Sequence, residues 1–120
     1  MKNRADILNI LAHATGTTQY HRFSPIEGYP VATDGVNALA QAAECYWLLD
    51  AIGSHQSNRR LDPDFQVWQL LVNQEDSNAV LSGYNDDILI VEQQIMFTDF
   101  PLDKIKLWLV GGVIMLPTEY

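Results

Sequence analysis

Three observations predict an α+β fold. Apolar residues recur at helical spacing through the first half of the chain, over residues 4–14 and again over 36–52. From residue 64 onward the spacing changes to two, the period of a strand with one buried face. Turn signals at Asn85-Asp86-Asp87 and Gly111-Gly112 then fold that second half back on itself. The expected architecture is two helices, the second long and buried, followed by a roughly five-strand antiparallel sheet made of a meander and a C-terminal hairpin. At 120 residues this is one domain, 1–120.

The first helix rests on Ile7, Leu8, Ile10 and Leu11, with Ala14 one turn further on and Gly16 as its stop. Residues 17–32 are rich in turn formers, among them Pro25, Gly28 and Pro30, and 19–23 suit a short edge strand. Thr33-Asp34-Gly35 opens the second helix, because either oxygen-bearing side chain can accept from an unpaired N–H of the first turn. Over 36–52 only Glu44 and Asp50 are charged, so this helix is apolar on nearly every side and is expected to be buried, with Gly53 as its C-cap. A polar loop follows at 54–63.

Strands are expected at 64–72, 79–84 and 88–95, with β-forming Phe65, Val67 and Trp68 in the first. An irregular connection containing Pro101 leads to a strand at 104–110, which alternates with Lys104 and Lys106 out and Ile105, Leu107 and Leu109 in. Gly111-Gly112 suits a two-residue turn that needs positive φ twice, and the strand returning over 113–116 ends at Pro117.

Composition narrows the function classes. With 48% apolar residues and 18% charged ones, the chain can bury a core without metal or disulfide. Its one cysteine, Cys45, permits no intrachain disulfide, and the N-terminus lacks the apolar core of a leader, so the expected location is cytoplasmic. The apolar run at 105–116 is too short to span a bilayer as a helix, which takes about 20 residues. Fifteen acidic against seven basic side chains give a formal charge of −8, which repels phosphate backbones and anionic lipid. Neither direct nucleic-acid nor membrane binding is expected. The acidity serves solubility, or it imitates a nucleic acid before a basic groove on another protein.

No constellation of catalytic residues stands out, and no cofactor or metal is implied. His13, His21 and His55 lack metal-ligand spacing, and Cys45 lies in an apolar helix whose only neighbouring charges are acidic. The acids at Glu75-Asp76, Asp86-Asp87, Asp99 and Asp103 sit in turns, where Asp bonds its own backbone. No phosphate-cradling loop, dinucleotide fingerprint or nucleophile elbow is present. Asp50 falls inside an apolar run, where it either faces a wet edge or anchors a pocket. The residues that could line a ligand pocket between the long helix and the sheet are Asp34, Asp50, His55 and Asp99. Trp68, Trp108 and Tyr120 are the expected interface residues, on strands that look apolar on both faces.

Four segments carry a resemblance: Thr33-Asp34-Gly35, Tyr46-Trp47-Leu48-Leu49-Asp50, Thr98-Asp99-Phe100-Pro101-Leu102 and Leu116-Pro117-Thr118-Glu119-Tyr120. In this order they resemble a family of small uncharacterised proteins of bacteria, phage and other mobile elements. The resemblance brings no reaction, cofactor or catalytic residue, and it implies an accessory gene near mobile DNA. Two readings stand side by side. One is a non-catalytic protein-interaction module that contacts another protein or pairs as a homodimer, acting on a host protein in its mobile-element form. The other is a small-molecule binding or hydrolytic protein with its pocket between helix and sheet.

Overall fold

The computed structural model describes residues 4–120. The three residues before them belong to the segment read as lacking a leader's apolar core, and they lie outside the described residues. The chain folds as an α+β structure with helices on one face of a seven-stranded mixed sheet. Helix α1 (Arg4–His13) leads to two short strands, β1 (Tyr20–Arg22) and β2 (Val31–Thr33). Helices α2 (Asp34–Ala42) and α3 (Tyr46–Ser54) follow, and a single 3-10 turn, His55–Ser57, extends the latter. The remaining strands are β3 (Phe65–Asn73), β4 (Asn78–Asn85), β5 (Ile88–Ile95), β6 (Lys104–Val110) and β7 (Val113–Met115), and a 3-10 turn at Pro117–Glu119 ends the chain.

Sheet order is β1-β2-β7-β6-β3-β4-β5. The expected meander and hairpin are its β3-β4-β5 and β6-β7 parts, with Gly111 and Gly112 at φ 55° and 84° in the hairpin turn. The expected two helices and five antiparallel strands need correction in three places. The long helix is interrupted at 43–45, where Glu44 adopts φ 53° and the Cys45 N–H bonds the Ala40 carbonyl at 2.9 Å. That is a Schellman stop built without glycine. The segment 17–33 supplies two strands, the edge strand β1 within the stretch marked for it and β2 between β1 and β7. Lastly, β2 pairs with β7 in parallel, so the sheet is mixed. Gly53 is no cap but lies inside α3, where a Cβ would stand 2.5 Å from the Tyr29 ring.

The core lies between helices and sheet. Ile7 of α1, Val36, Leu39 and Ala40 of α2, and Leu48, Leu49 and Ile52 of α3 bury against Trp68 and Leu70 of β3, Leu81 of β4, Ile105, Leu107 and Leu109 of β6, and Ile114 of β7. Among the described residues no helix is long and apolar enough to cross a membrane.

Candidate functional site

The start of α2 gathers the first and last of the four motifs. Thr33 caps the helix, its hydroxyl oxygen accepting from the Val36 N–H. The hydroxyl itself donates to Glu119 Oε1 at 2.6 Å, an oxygen that also accepts from the Leu116 N–H at 3.0 Å. Glu119 Oε2 accepts from the Gly35 N–H at 3.2 Å. A Cβ on Gly35 would meet that carboxylate at 2.8 Å and Ala14 at 2.9 Å, so only glycine lets the C-terminal segment dock here. A carboxylate also suits the positive end of the helix dipole.

Asp34 faces the other way, toward β1. Its Oδ2 accepts from the Thr18 N–H at 2.9 Å and the Thr18 hydroxyl at 3.0 Å, and its Oδ1 from His21 Nε2 at 2.7 Å. The Asp34 N–H donates to the Thr17 hydroxyl oxygen. The Thr18 backbone N–H first, and then His21, hold the carboxyl well below the usual carboxylate range. Both oxygens of the Asp34 carboxylate are engaged within the protein, by Thr18 and by His21. The joint fastens β1, α2 and the C-terminal turn together.

The other residues marked for a ligand pocket have separate surroundings. Asp50 is exposed on α3, at that helix's wet edge. Asp99 is exposed in the connection between β5 and β6, where Phe100 and Leu102 plug into the core. His55 stacks on Trp68 with ring centroids 5.7 Å apart, and its Nε2 donates to Gln93 Oε1 at 2.7 Å. Beside it Gln66, completely buried, and Gln56 exchange amide hydrogen bonds of 2.8 and 3.0 Å, and Trp68 Nε1 donates to Gln66 Oε1 at 2.8 Å. Two depressions of ≈ 430 and ≈ 470 Å³ flank Tyr29 and share Gly28 and Gln56. Neither is lined by Asp34, Asp50, His55 or Asp99. Among the described residues, no group of three or more His, Cys, Asp and Glu side chains is placed to hold a metal ion.

Trp68 also departs from expectation. It lies under the helices, 1% exposed, and is a core residue rather than an interface one. Trp108 and Tyr120 do lie on the opposite face, where with Phe65 they form a cluster of edge-to-face rings with centroids 5.3 to 6.5 Å apart. The strand registers arrange this uncovered face in rows. Trp108 (β6), Val67 (β3), Tyr84 (β4) and Leu89 (β5) form one row. Lys106, Gln69, Ser82 and Glu92 form the next, and Lys104, Leu71, Val80 and Gln94 the third. Val110 and Val113 continue the face beside Phe65. Leu71 and Leu89 are each 45% exposed. The signal for these residues was already in β3, whose Phe65, Val67 and Leu71 are apolar at the positions that alternate with the buried Gln66, Trp68 and Leu70.

A family model described as a family of unknown function (DUF6876) matches residues 5–120. No curated protein and no solved structure matches the chain.

Proposed function

The chain belongs to this family of unknown function, and we propose that it is a non-catalytic protein-interaction module whose contact surface is the uncovered face of the sheet. One observation carries the reading. An antiparallel sheet with one wet face normally alternates apolar-in and polar-out, yet here the outer face holds Phe65, Val67, Leu71, Val80, Trp108 and Val110. Among the described residues no helix covers them. Apolar rows on either side of the polar row of Lys106, Gln69, Ser82 and Glu92 make a mixed surface of the kind protein contacts use. The polar clusters at Asp34 and His55 support it from the other side, since the Asp34 carboxylate and the His55 Nε2 are engaged in holding elements together.

The test is a tagged bait compared with the same bait carrying Leu71→Glu and Val80→Glu, both on the open face. The unmodified bait is expected to hold a stoichiometric protein through nuclease treatment, and the substituted bait to release it. Equal retention by two equally folded baits would sink the reading.

A further inference from the structure

We infer that the open face is occupied by a second copy of this chain, sheet against sheet, about a two-fold axis running along the strands between β3 and β4. The inference rests on the open face being a contact surface, as proposed above, and it adds which partner fits. The register rows carry it. Rotation about an axis parallel to the strands keeps each row level and exchanges the columns, setting β6 over the second copy's β5 and β3 over its β4. Lys106 then stands over Glu92 of the second copy, and Glu92 over its Lys106. In the same operation Leu71 meets Val80, Val67 meets Tyr84, and Trp108 meets Leu89. Across these three rows every aliphatic or aromatic side chain meets another and Lys106 meets Glu92, with Lys104 left against Gln94.

The chain's own contacts leave these charges available. Lys106 and Glu92 sit in one row three strands apart, about 14 Å at ordinary strand spacing, too far to pair with each other. Among the described residues neither makes an ion pair. Both lysines among them, Lys104 and Lys106, are on this face of a chain whose net charge is −8. An acidic face would repel its own copy, and these two side chains remove that obstacle where the contact forms. Aligned sheets pack about 10 Å apart at about −30°, a spacing that apolar rows of this size can fill.

Sedimentation velocity over a concentration series tests it. The wild-type chain is expected to dimerise. Lys106→Glu alone and Glu92→Lys alone are expected to weaken the dimer about tenfold or more, since each puts like charges together twice. The double exchange Lys106→Glu with Glu92→Lys is expected to restore it. Both sites carry exposed, solvent-facing side chains, so all three variants are expected to keep the fold, which circular dichroism can verify. A wild-type chain monomeric at every attainable concentration overturns the inference. So does a dimer indifferent to both single changes, or one that the double exchange does not rescue. A monomer whose bait loses its lysate partner on Leu71→Glu with Val80→Glu would overturn the second copy while leaving the contact surface standing. A dimer that persists with those two changes in place would overturn the second copy on this face, and equal lysate retention by the two baits would overturn the contact surface as well.

Discussion

Glu119 places both carboxylate oxygens on the backbone and side chains of other segments, bonding Thr33, Leu116 and Gly35. Glu119→Ala takes the carboxylate away from the Gly35 N–H, the Leu116 N–H and the Thr33 O–H, and should lower stability by about 1–3 kcal/mol. Thr33→Ala should cost about 1 kcal/mol through the lost cap. Because the two share a hydrogen bond, the double change should cost less than the sum of the two, a coupling that urea unfolding at constant m-value can measure. Asp34 adds a pH dependence. Its folded pKa lies below the unfolded value of 3.8, so the stability it contributes is complete above that pH and is lost as pH falls toward the folded value. Asp34→Asn should therefore flatten the acid limb of stability below about pH 4, leaving the slope at neutral pH alone. A mutant with an unchanged acid limb would remove Asp34 from that role. The sequence marked Thr33 and Asp34 as caps because cap chemistry is local. It could not show Glu119 arriving from 86 residues away, since nothing in a terminal glutamate announces its partner.

Whole elements were legible where the period was long. The spans 88–95 and 104–110 read from the sequence coincide with β5 and β6: β6 alternates and so has one register with a buried face, and β5 is an apolar run opened by the Asn85-Asp86-Asp87 turn. Elements of three residues carry no period, and β1 and β2 exist through pairing alone. The break between α2 and α3 was hidden for another reason: its left-handed position holds Glu44, and the sequence signal for a helix stop is glycine. Glu44→Gly should accordingly raise stability by about 0.5–1 kcal/mol, read as an increase in the urea midpoint. Gly83 works in the opposite sense. A Cβ there would stand 2.6 Å from the Trp68 indole, which Gln66 and His55 hold in place, so the ring cannot yield cheaply. Gly83→Ala should lose about 1–3 kcal/mol, and pairing it with Trp68→Leu should recover part of what the two lose separately.

At the scale of the molecule, the two ends of the chain close one half of the sheet. Strand β2 pairs with β7, its partner far along the sequence, over Val31–Val113 and Ala32–Ile114. Two residue pairs are a weak join. The docking of Glu119 on the start of α2 and the Thr17, Thr18 and His21 bonds to Asp34 supply what the ladder lacks. The β3-β4-β5 meander, by contrast, rests on long local pairings and on the Trp68 side of the core. Stability should then be uneven, with the β1-β2 edge opening at a lower free energy than the meander. Removing residues 117–120 makes the difference measurable by hydrogen exchange. Amides of 20–36 should lose protection by about tenfold or more, as one hydrogen-bonded staple worth about 1.4 kcal/mol is removed, while those of 66–71 and 79–83 keep most of theirs. Equal loss everywhere would mean that the terminal turn secures the whole fold at once, and that the two halves of the sheet open together.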